Sequence, residues 1–198
     1  EGVTRRAILF TKACPGSLCH KAQPPHSERK ERKIPMRYHN ITKDDMLNGD
    51  GLRTVLWVAG CSHHCPQCHN PVTWDINGGL VFDEQAKEEL FEELKKDYVS
   101  GVTFSGGDPF HLENREEIGA LAKEIREKFP DKTIWLYTGY EWEEICHLSF
   151  LSNIDVIVDG KFKIEEKDNN LHWKGSANQR VIDVKASLRA GEVRLYQE

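Results

Sequence analysis

Three cysteines lie close together in the segment GCSHHCPQCHN, which covers residues 60–70. Cys61, Cys65 and Cys68 follow the spacing C-x3-C-x2-C. Thiolates are the usual protein ligands of iron–sulfur clusters and common ligands of zinc. In a reducing compartment, a cysteine group of this kind indicates metal binding or catalysis rather than disulfide bonds.

Two kinds of metal site fit these three thiols. A closed zinc site would take its fourth ligand from one of the nearby histidines, which are His63, His64 and His69. A 4Fe–4S cluster usually has four cysteine ligands, so three cysteines would leave one iron without a protein ligand. That iron would be open to a small molecule, as the open position of a catalytic metal site is.

A glycine-rich loop carries a second group of residues suited to ligand binding. The segment SGGDP, residues 105–109, contains Gly106, Gly107 and Asp108. Adjacent glycines at a strand end let a ligand or another backbone approach closely, and a carboxylate beside them suits a ligand ammonium group. A structural zinc ion does not require such a loop. The two loops together therefore favour a small zwitterionic ligand next to an open iron.

Alternating strand and helix patterns predict how these loops are positioned. Four continuous apolar runs predict buried strands over residues 54–60, 101–107, 133–139 and 155–160. Helical periodicity over 83–98 and 114–129, and more weakly over 141–150, predicts helices between them. The order β-α-β-α-β-α-β predicts an α/β fold with a mostly parallel sheet. Since the carboxyl ends of parallel strands share one edge, the cysteine and glycine loops should meet there.

Roles in helix capping and in packing are predicted for a few further residues. Asp83 should cap the first helix, and Asn114 with Glu117 three residues later has the spacing of a capping box. Cys146 lies in the weakest helix candidate. We expect it to be a small buried apolar residue rather than a fourth metal ligand.

Charge divides the chain into two parts. The 198 residues carry a net charge of −5, yet residues 1–36 hold eight Lys or Arg against three Glu. This polar, proline-bearing stretch predicts a disordered basic extension over 1–36, and the remainder predicts one domain over 37–198. Cys14 and Cys19 are expected to be incidental thiols of that extension. The acidic body argues against a nucleic-acid partner, and no apolar run approaches the roughly 20 residues that span a membrane.

The motifs together resemble the radical S-adenosylmethionine (SAM) superfamily. The segment CSHHCPQC is followed by SGGDP, and IWLYTGY, VIVDGKF and WKGSANQRVID come next. This order, over about residues 37–184, is similar to that of the activating proteins of anaerobic ribonucleoside-triphosphate reductase. The resemblance implies a parallel-sheet partial (β/α) barrel that is open rather than closed.

The resemblance also implies a ligand set. Three residues would hold one 4Fe–4S cluster: Cys61, Cys65 and Cys68. Three others would receive the methionyl amino group of SAM: Gly106, Gly107 and Asp108. The adenosine part of SAM would lie along Gln67, Cys68 and His69. Strand-end residues that line the SAM site or an adjacent cation in related enzymes correspond to Thr138, Asp159 and Lys161.

One residue departs from the superfamily pattern. Many members carry an aromatic residue just before the third cysteine, and this chain has Gln67 there. Packing of an aromatic ring against adenine at this position is therefore not expected.

The implied activity is that of a cytoplasmic radical SAM oxidoreductase. The reduced cluster would cleave SAM to methionine and a 5′-deoxyadenosyl radical, and that radical would generate a glycyl radical on anaerobic ribonucleoside-triphosphate reductase. The implied partners are the reductase and a reducing electron donor such as flavodoxin or ferredoxin.

Two other functions stay open at this point. One is a different radical SAM enzyme, either an activator of another glycyl-radical enzyme or an enzyme of deazapurine synthesis. The other is a zinc-binding interaction module without catalytic activity. The motifs WKGSANQ and VDGKF favour the reductase activator.

Overall fold

A computed structural model describes residues 35–197 as a mixed α/β structure. Residues 1–34, with Cys14 and Cys19, and residue 198 lie outside the described residues. Met36, which the sequence analysis assigned to the extension, is 1% exposed and packs in the core. None of the helices in the described part is long and apolar enough to cross a lipid bilayer.

Residues 35–197 contain one seven-stranded sheet and four α-helices. The strands are β1 Arg37–Asp45, β2 Arg53–Val58, β3 Leu80–Val81, β4 Gly101–Gly106, β5 Thr133–Tyr137, β6 Val156–Asp159 and β7 Arg180–Asp183. The helices are α1 Glu84–Leu94, α2 Arg115–Lys128, α3 Trp142–Ile145 and α4 Val184–Ala190.

The sheet has the strand order β3-β1-β2-β4-β5-β6-β7. The four predicted strands are present as β2, β4, β5 and β6, and each pairs in parallel with the next. Strands β1, β3 and β7 pair antiparallel at the two sides, and none of them was predicted. The sheet is therefore parallel only in its centre, and its curvature into a partial barrel stays a prediction.

The two faces of the sheet are covered differently. One face packs against the helices through fully buried side chains such as Leu56, Phe104 and Leu136. The other face carries Trp135, with Trp173 and Tyr196 packed against it in edge-on contact at 4.9 and 5.2 Å between ring centroids. Because side chains alternate across a strand, neighbouring residues of β5 serve both layers.

Arg53 at the start of β2 is a fully buried cation. Its guanidinium donates to the Thr103 and Thr133 hydroxyls, both at 2.8 Å, and to three backbone carbonyls, those of Asp50, Val102 and Thr133. Burial lowers the pKa of Arg53 to about 10. The side chain thereby ties the amino ends of three neighbouring strands together.

The two predicted caps have different outcomes. Asp83 caps α1 as expected, since its carboxylate accepts the Ala86 N–H at 3.0 Å. The capping box at Asn114 is wrong, because the Asn114 amide instead donates to the carbonyls of Ala59 at 2.7 Å and Asp108 at 3.3 Å. This amide fastens the start of α2 to the loops that follow β2 and β4.

Candidate functional site

The cysteine loop begins directly after β2 and is fixed where it starts. Gly60 donates its N–H to Thr73 at 2.7 Å, and Cys61 donates to Trp74 at 3.1 Å. Within the loop, Cys68 donates to the carbonyl of Cys65 at 3.1 Å, which closes a turn. Backbone hydrogen bonds therefore fix the start of the loop and the turn that carries Cys65 and Cys68.

The cysteine loop and the glycine loop line one cavity of about 360 Å³. The predicted site residues that line it are Cys61, Cys65, Cys68, His69, Gly106, Gly107, Asp108 and Thr138. The carboxyl ends of β2, β4 and β5 thus meet at one place, as expected for parallel strands. The ligand roles of these residues stay predictions.

Positions 106 and 107 require glycine because backbone atoms of other residues lie too close to leave room for a side chain. Gly106 has φ of 103°, and a Cβ there would lie 2.7 Å from Val58 backbone atoms. A Cβ on Gly107 would lie 2.4 Å from the Gly60 carbonyl oxygen. The glycine pair therefore lets the loop after β4 pack directly on the backbone that enters the cysteine loop.

Asp108, predicted to receive a ligand ammonium group, lines the cavity and is also bonded to protein groups. It is 1% exposed, and its oxygens accept from Phe110 N–H at 2.8 Å, Thr138 Oγ1 at 2.9 Å and Gly139 N–H at 3.0 Å. His63 Nε2 lies 2.7 Å from its Oδ2. The carboxylate is engaged by protein groups, so it fixes three loops to one another.

The three thiols are free and partly exposed to this cavity. Burial raises the pKa of the Cys61 and Cys65 thiols, and backbone N–H groups of His63 and Phe162, respectively, act in the opposite direction. The Cys68 sulfur accepts the Asn70 N–H at 3.4 Å. Backbone donors near each sulfur suit thiolates that hold an iron–sulfur cluster, because hydrogen bonds to the sulfurs tune such clusters.

Among residues 35–197, no group of three or more His, Cys, Asp or Glu side chains is arranged to hold one metal ion. Three thiols that line one cavity are a donor set of the kind that iron–sulfur clusters take.

The two histidines between the cysteines point in different directions. The His63 side chain is 8% exposed, bonds to Asp108 and packs edge-on against Tyr140 at 4.7 Å between centroids. His64 is exposed and packs against Trp74. His63 therefore connects the cysteine loop to the loops after β4 and β5, a link that no local sequence pattern reveals.

Other predicted residues lie away from the cavity lining. Gln67 is exposed and has φ of 56°, and Lys161 is exposed as well. Asp159 is 1% exposed and pairs with Arg180 of β7, and it also accepts the Trp142 N–H at 2.8 Å. The expectation that Cys146 is buried is wrong, because its thiol is exposed at the end of the four-residue helix α3.

Aromatic residues for which the sequence predicts no role line the same cavity. Tyr137, Phe162 and Trp173 belong to its wall. Burial raises the pKa of Tyr137, and its hydroxyl donates to the Trp173 carbonyl at 2.8 Å. Trp173 has φ of 59°, an unfavourable backbone conformation for a bulky residue, which the surrounding contacts maintain.

Comparison with known proteins gives a consistent set of relatives. A family described as a 4Fe–4S single cluster domain matches residues 47–182. A protein of Enterobacteria phage T4 named anaerobic ribonucleoside-triphosphate reductase-activating protein is 44% identical over 146 residues, which is 74% of this chain and 93% of that protein. Proteins of the same name from Salmonella typhi and Escherichia coli K12 are 40% and 39% identical over 150 residues, 74% of this chain and 97% of each relative.

Proposed function

Because the chain belongs to the family of anaerobic ribonucleoside-triphosphate reductase-activating proteins and carries a 4Fe–4S cluster domain, we propose that it is a radical SAM oxidoreductase. When bound and reduced, the cluster supplies one electron that splits SAM into methionine and a 5′-deoxyadenosyl radical, which takes a hydrogen atom from a glycine Cα of the reductase. The product is a glycyl radical on the reductase, which is the substrate protein.

The observation that carries this proposal is the shared cavity. Cys61, Cys65 and Cys68 line it together with Gly106 and Gly107. A single small molecule bound in this cavity would touch both loops, which is what SAM next to an open iron requires. Loops on opposite faces of the sheet would have ruled the proposal out.

The protein's own residues have positional tasks in this reaction. The three cysteine thiolates hold the cluster, and backbone N–H groups near their sulfurs stabilise the negative charge. The contact between His63 and Asp108 holds the cysteine loop next to the glycine loop, where SAM would bind. The aromatic wall formed by Tyr137 and Trp173 limits the water and stray hydrogen donors that reach the reacting atoms.

The partners and the compartment follow from the same chemistry. The cluster needs a low-potential one-electron donor, and we propose a flavodoxin or ferredoxin. We place the reaction in an anaerobic cytoplasm, because an iron without a protein ligand is open to oxygen and free thiols persist in a reducing compartment.

The test is anaerobic reconstitution with iron and sulfide, reduction with dithionite, and measurement of 5′-deoxyadenosine. The wild-type protein should form this product from SAM, and Cys65→Ala should abolish it. Cys146→Ala is the matched control, since its thiol is exposed and lies outside the cavity lining. Full product formation by Cys65→Ala would refute the ligand assignment.

The same preparation separates the proposal from a zinc-binding module. A brown protein that contains iron and sulfide supports the enzyme. A colourless protein with about one zinc ion and neither iron nor sulfide ends the enzyme interpretation.

A further inference from the structure

The turn that follows β6 reaches the cysteine loop. Phe162 lines the cavity that contains the three thiols, and its ring lies edge-on to His69, with 6.0 Å between the ring centroids. Phe162 thus contacts the cysteine loop at His69, although it lies more than 90 residues further along the chain.

A second segment, Lys174–Gln179, holds this turn in place. The amide of Gln179 donates to the Gly160 carbonyl at 3.0 Å, and that of Asn178 donates to the Lys161 carbonyl at 2.9 Å. The Ser176 hydroxyl accepts the Lys163 N–H at 3.2 Å. Each bond joins the segment to the backbone of the turn. The segment therefore holds the backbone that carries the Phe162 ring.

The segment is itself built to approach the ring closely. A Cβ on Gly175 would lie 3.2 Å from the Phe162 ring. The Gln179 side-chain oxygen accepts the N–H groups of Gly175 at 2.9 Å and Ser176 at 3.2 Å, which closes the segment on itself beside the turn. This gives the motif WKGSANQ a physical role that its sequence alone did not indicate.

We propose that Phe162 is a positioning residue for the iron–sulfur cluster, whose ring covers the His69 side of the cysteine loop, and that Lys174–Gln179 is the support that keeps the ring there. The apolar shell around a metal site controls its access to solvent. The inference rests on the cysteine ligation in the proposed function.

The experiment measures iron release from the reconstituted protein to a chelator under anaerobic conditions. Phe162→Ala should bind the cluster but lose iron about tenfold faster than wild type, with an altered electron paramagnetic resonance signal of the reduced cluster. Phe162→Leu, which keeps apolar bulk, should restore most of the retention. Gln179→Ala should accelerate release in the same direction while leaving the ring present.

Lys163→Ala is the matched control. It lies in the same turn, but its side chain is about half exposed and pairs only with Glu166 among the bonds of this turn, so its iron release should equal that of wild type. Equal release from wild type, Phe162→Ala and Gln179→Ala would overturn the proposal, and so would equally fast release from Lys163→Ala. If Phe162→Ala does not fold, Phe162→Leu and Gln179→Ala decide the question.

Failure of the proposed function gives a different result. A cluster retained in full by Cys65→Ala would refute cysteine ligation. Absence of 5′-deoxyadenosine with normal iron release would refute SAM cleavage alone.

Discussion

Two buried carboxylates at the carboxyl edge of the sheet have contrasting partners. Asp108 and Asp159 are each 1% exposed. Asp108 is surrounded by His63, a hydroxyl and backbone N–H groups from the loops that line the cavity. Asp159 is paired with the Arg180 guanidinium of edge strand β7.

The difference shows that a carboxylate at a strand end can fix different parts of the protein, depending on which donors reach it. Asp108 is predicted to receive the methionyl amino group of SAM and Asp159 to line the SAM site or a cation site, and each carboxylate also accepts hydrogen bonds from protein donors. The partners of Asp108 hold the cysteine loop, whereas Arg180 holds the outer side of the sheet. Changes at the two positions should therefore separate cluster binding from stability.

Asp108→Ala should have the largest effect. It leaves the donors of Phe110, Thr138 and Gly139 without their acceptor, and each buried donor left unpaired costs about 1–3 kcal/mol. We expect a loss of at least about 4 kcal/mol in urea unfolding of the metal-free protein, together with poor iron incorporation. A variant that retains a full complement of iron would contradict the assigned link to the cysteine loop.

Arg180→Ala should destabilise the protein without affecting the cluster. It leaves the Asp159 charge buried with the Trp142 N–H as its remaining donor. We expect the free energy of unfolding to fall by about 3 kcal/mol. This is the low end of the range for breaking a buried ion pair, because the Arg180 side chain is 33% exposed. The Arg180→Ala protein should release iron at the wild-type rate. Faster release would show that the Asp159 ion pair also supports cluster binding.

His63→Ala tests the link to the cysteine loop itself. It removes one hydrogen bond to a buried carboxylate, and we expect a loss of about 1.5 kcal/mol in stability and about tenfold weaker iron retention. His64→Ala is the control, since His64 is exposed and has no contact with Asp108 among the bonds described for it. Equal iron retention in the two variants would argue against the link.

Glu143→Gln should have the smallest effect. Glu143 is 60% exposed, and its hydrogen bonds with Arg180 lower its pKa below the ordinary 4.5. A lowered carboxylate pKa adds stability that is present above 4.5 and is lost as the pH falls through the folded-state value. The free energy of unfolding of the wild type should exceed that of the variant by about 0.5 kcal/mol at neutral pH. Urea unfolding in acid should show no difference between them.

The central strands were predictable because they are buried on both faces. Runs such as TVLWV and TIWLY are continuously apolar, and burial on both faces produces that pattern. The flanking strands do not show it. Strand β1 reads RYHNITKDD, a largely polar sequence typical of a strand close to the sheet edge, and β7 reads RVID, with a charged residue at each end.

The meeting of the two loops was also predictable, but the partners of Asp108 were not. Strand-end loops share one edge by topology, so the cysteine and glycine loops had to be close. His63 and Thr138 are 45 and 30 residues from Asp108 in the chain. Only the folded arrangement brings such distant donors together, and the same holds for Phe162 and the cysteine loop.

The strand order has a consequence for folding during synthesis. Apart from β3, the strands occur in the sheet in the same order as in the chain. As the chain emerges from the ribosome, each new strand therefore meets an edge formed by the one made just before it. The Asp159 carboxylate acquires its counter-charge only when β7 docks, so a nascent chain halted before Arg180 carries an uncompensated charge at its growing edge.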